Sequence, residues 1–162
     1  FRQERMGLNG KPFKIMKFRS MVVNAEELLE KDEELYRTYV ANGYKFPEGQ
    51  DPRLTRIGNF IRKTSLDEIP QFLNILKGDM SLIGPRPILP FELSEYTTKE
   101  QKDLFSVKPG ITGWWQISGR SDVHYPERAQ LQVYYPRHIS FGLDFKIFFM
   151  TFKQVIKGDG AQ

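Results

Sequence analysis

Asp67 and Glu68 stand side by side in RKTSLDEIPQ, residues 62–71, directly behind the cations Arg62 and Lys63. Adjacent carboxylates beside a basic turn suit the holding of a phosphate together with a divalent cation. A helix N-terminus offers unpaired N–H groups and partial positive charge, and the two cations strengthen that field. Ser65-Leu66-Asp67-Glu68 also spells a capping box, with Ser65 as N-cap and Glu68 at the third helical position, and a capping box needs no function. Both readings stand at this point.

The residues that follow extend the pattern. Ile69, Phe72, Leu73 and Leu76 fall on one helical face, while Asp67, Gln71 and Asn74 line another at i, i+4, i+7. Pro70 lies near the end of the first turn, where it predicts a kink rather than a break. The stretch GDMSLIGPRPILP, residues 78–90, is punctuated by two glycines and three prolines, which force a loop and fix its backbone. Arg86 sits between Pro85 and Pro87. Ordered in this way, its planar fork suits bidentate phosphate binding, although a salt bridge to Asp79 or Glu92 would satisfy it equally.

A chain of 162 residues with 40% hydrophobic content is long enough for one domain with a real core. It has no cysteine, which rules out a thiol nucleophile, a disulfide framework and a thiolate metal site, and fits a reducing compartment. His124 and His138 are the two histidines and lack metal-ligand spacing, so neither a zinc site nor a Ser-His-Asp triad is expected. The net charge of +4 is unevenly spread: Arg2, Arg5, Lys11, Lys14, Lys17 and Arg19 face only Glu4 within residues 1–20, whereas six carboxylates face Lys31 within 26–34. Such segregation orients a protein against something anionic: a nucleic acid, an acidic lipid surface or a phosphorylated substrate.

The elements that must position the acidic pair follow from pattern. Residues 1–19 read as a hairpin turning at Asn9-Gly10, with basic and apolar residues alternating so that one face of the ribbon is cationic. A helix is predicted over 24–41, capped by Asn24 and closed by Gly43, then a loop to Asp51. A short basic helix over 53–63 turns Leu54, Ile57, Phe60 and Ile61 inward and ends at the acidic pair. Further helices are expected over 91–106 and 126–135, with a loop at Pro109–Gly113 between them. The closing ISFGLDFKIFFMTFKQVI holds five phenylalanines and suits either a buried helix or one lying against lipid headgroups with its lysines snorkelling. The expected fold class is α+β, a mainly helical single domain with an N-terminal β-hairpin. No run of about 18 apolar residues predicts a spanning helix. The chain starts at Phe1 without a methionine or signal-peptide pattern, which predicts a fragment whose upstream part holds membrane-inserting sequence.

KPFKIMKFRSM, DPRLTRIGNFIRKTSLDEIPQ, LNILKGDMSLIGPRP, KPGITGWWQISGR and LDFKI together resemble, in order and over nearly the whole chain, the bacterial sugar transferase family, the monotopic phosphoglycosyl transferases. The resemblance implies an enzyme that moves a sugar-1-phosphate from a UDP-sugar to a polyprenol (undecaprenyl) phosphate and releases UMP, initiating exopolysaccharide, capsule or O-antigen type glycan assembly. It implies Asp67 as nucleophile, an acyl-phosphate-linked intermediate, and Mg2+ bound by Glu68 with Asp67 sharing the ion. A carboxylate is ionised near neutral pH and attacks phosphorus without a general base. Arg62, Arg86, Arg120, Lys17 and Arg19 match the family's basic motifs and are the expected phosphate contacts, an ion pair holding the fold being the alternative for each. Trp114 or Trp115 could stack on uracil, or serve as core.

The implied setting is the cytoplasmic face of the bacterial inner membrane, with membrane lipids as partners, a homo-oligomer compatible and no nucleic acid. Relatives carry a re-entrant membrane helix just before the segment where this chain starts, so 1–162 reads as the catalytic domain without it. The 24–50 insert and the GDGAQ ending resemble longer, hexose-transferring forms, which points to glucose or galactose. Two other classes stay in view: a basic nucleic-acid-binding module, which leaves Asp67 and Glu68 unexplained, and a non-catalytic scaffold on the membrane face, which would be indifferent to Asp67→Asn.

Overall fold

The Asn-Gly turn closes the hairpin as its sequence requires, with Asn9 and Gly10 at positive φ. Strands β1 (Arg2–Met6) and β2 (Pro12–Met16) pair antiparallel, with Glu4 opposite Lys14 and Arg5 opposite Phe13. Arg5 and Ile15 are buried on the inner face. Because Arg5 turns inward and Glu4 lies across from Lys14, the outer face carries mixed charge rather than the expected cationic one. The computed structural model describes residues 1–42, 44, 46–47, 49–118 and 123–157, the side chains of 155–157 excepted.

The acidic stretch folds as two helices, α1 (Ala25–Lys31) and α2 (Glu33–Ala41), not the single one expected. Asp32 breaks it: its backbone is extended, and its side chain accepts from the Leu35 N–H at 2.9 Å to cap α2. Asn24 occupies the N-cap position of α1 without a side-chain bond. The expected closure at Gly43 lies outside the described residues. Helix α3 (Arg56–Lys63) starts at Thr55, whose hydroxyl accepts from Gly58 N–H at 2.9 Å. A 3-10 turn over Leu66–Glu68 precedes α4 (Gln71–Lys77).

Strands β3 (Ser81–Ile83) and β4 (Gly110–Thr112) form a short parallel pair that the sequence did not signal. Between them the predicted 91–106 helix is split into a 3-10 turn, Pro90–Glu95, and α5 (Thr98–Leu104), because Thr97 opens a capping box with Glu100. Helices α6 (Trp114–Ser118), α7 (Glu127–Arg137) and α8 (Phe141–Lys157) complete the chain. One core cluster joins Ile88, Tyr96, Leu104, Ala129 and Val133; a second joins Ile117, Tyr135 and Ile147 from α6, α7 and α8. The class is α+β and mainly helical.

Three helices reverse the usual amphipathic rule. In α4 the polar stripe faces inward: Asn74, fully buried, accepts from Met16 N–H at 3.0 Å and donates to Lys14 O at 2.9 Å, which ties α4 to β2. Phe72, Leu73 and Leu76 are therefore turned to the outside. In α3, Ile57 and Phe60 are exposed, contrary to the inward orientation expected, because Gly58 is the residue packed inward. A Cβ on Gly58 would overlap the Ser20 backbone. In α8, among the residues whose side chains are described, only Ile147 is fully buried, while Phe141, Phe145, Phe148, Phe149 and Phe152 are exposed, so simple burial does not account for its aromatic content.

Gly58→Ala should force α3 away from Ser20 and lower stability by about 2 kcal/mol or more. Urea unfolding measures this directly, and an unchanged midpoint would show that α3 does not need that approach.

Candidate active site

The segment after β2 runs alongside the turn that carries the acidic pair and is stitched to it. Phe18 N–H donates to Asp67 O at 3.0 Å. Lys17 Nζ donates to Glu68 Oε1 at 2.8 Å, and Arg62 Nε donates to Ser20 Oγ at 3.0 Å. Residues 17, 18 and 20 thus register against 68, 67 and 62.

The expected capping box does not form. Ser65 adopts the left-handed conformation, φ 56° and ψ 16°, and its side chain makes no cap bond. That conformation costs a residue with a Cβ about 1–2 kcal/mol and bends the chain sharply before Asp67. Pro70 also falls five positions earlier in the helical frame than a Ser65 cap would place it: it occupies the N-cap of α4, where its missing N–H breaks no helical bond. Asp67 and Glu68 consequently lie on a separate 3-10 turn ahead of the helix.

Arg86 is delivered by a second rigid device. Gly84 N–H donates to Thr112 O and Gly110 N–H donates to Pro85 O, each at 2.9 Å, pinning the Gly-Pro-Arg-Pro loop onto β4. The approach depends on glycine, because a Cβ on Gly84 or Gly110 would collide with facing backbone. The Arg86 guanidinium lies 3.7 Å from Glu92 Oε1 and 5.6 Å from the Trp115 ring centre. The Glu92 pairing foreseen for it is therefore real, yet its side chain remains 33% exposed and can still receive a ligand. Asp79 instead accepts from Asn74 Nδ2 at 3.2 Å.

A cleft of about 1060 Å³ brings these groups together: Lys17, Arg19, Arg62, Asp67, Glu68 and Arg86 all line it. Arg120 lies outside the described residues. Arg19 is exposed at the cleft, with no hydrogen bond or ion pair among the described residues. Trp115 lines the cleft, whereas Trp114 stacks on Tyr134, with ring centres 4.7 Å apart, beneath Lys146. Tyr39, Tyr44, Phe46 and Phe91 contribute an aromatic wall, and Arg53, paired with Asp51, packs on two of those rings. Neither histidine lines the cleft.

The two carboxyl groups are tuned apart. Burial pushes the Asp67 carboxyl, 7% exposed, above the ordinary aspartate range, and Glu68 adds to that, while Lys17 and Arg62 pull it back. Burial also opposes ionisation of Glu68, but the charge and hydrogen bond of Lys17, followed by Arg86 and Gln71, hold it below the usual carboxylate range. Glu68 is thus a firmly ionised oxygen donor, and Asp67 is a less solvated anion restrained by cations. Among the described residues no group of three or more His, Asp or Glu side chains is placed to hold a metal.

Three residues of the cleft were not singled out from sequence as site residues: Arg5, Glu92 and Arg128. Arg5 and Arg128 are nearly buried and converge on Glu92, and Arg128 also packs on Trp115, 4.6 Å from the ring centre. Period-two alternation places Arg5 opposite the outward residues of β1, which was the available signal for an inward cation. Glu92 was expected only as an alternative ion-pair partner of Arg86, and nothing local marks Arg128.

The model of the family described as "Bacterial sugar transferase" matches residues 1–158. The chain is 48% identical over 98% of its length to a UDP-galactose-lipid carrier transferase of Erwinia amylovora. It is 47% identical over 100% of its length to the galactosyl transferase CpsE of Streptococcus agalactiae. It is 45% identical over 98% of its length to an undecaprenyl-phosphate galactose phosphotransferase of Salmonella typhimurium. The chain spans 33%, 35% and 33% of those three proteins respectively, about a third of each.

The field at Asp67 can be checked without substrate. Its carboxyl carbon, followed by NMR across a pH titration, should show a midpoint above that of ordinary aspartate. Lys17→Met removes the strongest opposing charge, so the midpoint should rise further; a fall, or no movement, would show that Lys17 does not set this carboxylate.

Proposed function

Because the chain belongs to the bacterial sugar transferase family, we propose that it transfers a sugar-1-phosphate from a UDP-sugar to a polyprenol phosphate, releasing UMP. The observation that carries this reading is the buried Asp67 carboxylate in a cleft shared with Lys17, Arg62 and Arg86. An Asp67 oxygen attacks the sugar-bearing phosphorus. The bond from that phosphorus to the bridging oxygen breaks, and its electron pair leaves with UMP. The product on the protein is an aspartyl phosphosugar. An oxygen of the polyprenol phosphate then attacks the same phosphorus, breaks the acyl-phosphate bond and restores the carboxylate. Neither attack needs a general base, since both nucleophiles are already ionised.

Repulsion between carboxylate and phosphate oxygens is the main obstacle, and the cations of the cleft answer it. Arg86 offers a planar fork from a rigid loop, while Lys17 and Arg62 offer charge on either side of Asp67. Arg19 and Arg120 are assigned as further phosphate contacts. Mg2+ takes one or two carboxylates together with substrate phosphates, which the Asp67–Glu68 pair fits, and when bound it would neutralise charge on the diphosphate. The relatives named above carry galactose in their names, so UDP-galactose is the first donor to test and UDP-glucose the second.

The lipid acceptor gives the reversed helices a purpose. Exposed Ile57, Phe60, Phe72, Leu76 and the phenylalanines of α8 suit contact with the membrane interface, on the cytoplasmic side where UDP-sugars are found. Among the described residues no helix is long and apolar enough to cross a membrane. The product would serve as the first lipid-linked sugar of an exopolysaccharide, capsule or O-antigen type glycan.

With UDP-galactose, polyprenol phosphate and Mg2+, the wild type should release UMP, and Asp67→Asn should reduce release at least about a thousandfold. Turnover in Asp67→Asn equal to wild type would contradict the nucleophile and favour a non-catalytic scaffold. Separately, the double variant Phe148→Ser, Phe152→Ser should weaken sedimentation with anionic phospholipid vesicles by about tenfold or more. Unchanged vesicle binding would remove α8 from the membrane contact.

A further inference from the structure

Glu92 takes no part in the transfer chemistry above, yet its carboxylate, 2% exposed, gathers three guanidinium groups. Arg128 Nη2 is nearest at 3.2 Å, while Arg86 and Arg5 stand at 3.7 Å and 3.8 Å. One negative charge shared in this way leaves Arg86 and Arg5 incompletely neutralised. Arg5 is itself 7% exposed, lines the cleft, and its Nε has no hydrogen-bond partner among the described residues. A buried cation so placed raises the affinity of its surroundings for an anion.

The same two residues also fix the loop that carries Arg86. Arg5 Nη1 donates to Pro87 O at 3.2 Å, and Met6 N–H donates to Ile88 O at 2.9 Å, so β1 grips the chain immediately after Arg86. Glu92 Oε2 accepts from Leu89 N–H at 2.7 Å and holds the next residue of the same stretch. With Gly84 and Pro85 bonded to β4 before it and Pro87, Ile88 and Leu89 held after it, Arg86 is fixed from both sides while one third of its side chain stays open to the cleft.

We propose that Arg5 and Glu92 are positioning residues that hold Arg86 as a preorganised, incompletely neutralised receptor for a phosphate group of a diphosphate ligand. Glu92 fixes the direction of the guanidinium, and Arg5 braces the loop and keeps the local field positive. This rests on reading the cleft as a diphosphate site; it does not depend on Asp67 acting as nucleophile.

Inorganic pyrophosphate is the probe, titrated calorimetrically into the full chain, with melting temperatures recorded without ligand. Arg5→Met should weaken binding by about tenfold, and Arg5→Lys should recover it to within about threefold. Glu92→Gln keeps an acceptor for Leu89 N–H but removes the opposing charge, so it should bind about threefold tighter while melting lower. In turnover, Arg5→Met should raise KM for the UDP-sugar with kcat within about twofold. A purely structural role predicts weaker binding in both Arg5→Met and Glu92→Gln, and that result, or wild-type binding in Arg5→Met, overturns the proposal. Should Glu92→Gln fail to fold, the Arg5→Met and Arg5→Lys pair decides alone. These shifts without UMP release would sink the transfer reading and leave the receptor standing; UMP release without any pyrophosphate binding would do the reverse.

Discussion

A carboxylate kept nearly out of water is tolerated only where cations compensate it, and Asp67 sets that requirement for the rest of the molecule. The stitching of residues 17–20 along the 62–68 turn answers it, since it places Lys17 and Arg62 in the field of Asp67 and ties the Asp67 backbone to Phe18. The hairpin exists in part to present that segment. Its inner face carries Arg5 to the opposite side of the cleft, where the Gly-Pro-Arg-Pro loop is gripped. One small ribbon thus organises both the Asp67 side and the Arg86 side of the cleft.

The same constraint explains why polar side chains turn inward in α4. The Asn74 amide accepts from Met16 N–H and donates to Lys14 O along one edge of β2, and Gln71 is buried beside it, so the face nearest the site is polar. The apolar face is left outward and exposed, as in α3 and α8. Under the proposed transfer to a lipid-borne acceptor, a polar site with apolar outer helices is a coherent division. The outer apolar faces would then be buried against a bilayer, alongside the core clusters formed within the protein.

Much of this was legible in the chain. The Asn-Gly hairpin, the helix ending at Lys63, and the gathering of Lys17, Arg19, Arg62, Asp67, Glu68 and Arg86 were all readable, because turn chemistry, alternation and motif order are local signals. The inward or outward sense of α3 and α4 was not, since periodicity locates an apolar face without saying what covers it. Nor was the failure of the Ser65 cap: the residues fit a capping box, but the tie between Phe18 and Asp67 accompanies a left-handed backbone at Ser65 instead. Glu92 was foreseen as a partner of Arg86, but its meeting with Arg128 stayed hidden because 36 residues separate them and only the tertiary fold makes them neighbours.

The covalent step is the claim on which the rest turns, and mass spectrometry of the protein after reaction with UDP-galactose, Mg2+ and no acceptor lipid tests it most directly. The expected result is a mass increase of one sugar phosphate, located on the peptide containing Asp67, discharged on adding polyprenol phosphate and missing in Asp67→Asn. A stable adduct on another residue, or UMP release that occurs only when both substrates are present together and never leaves an adduct, would contradict it.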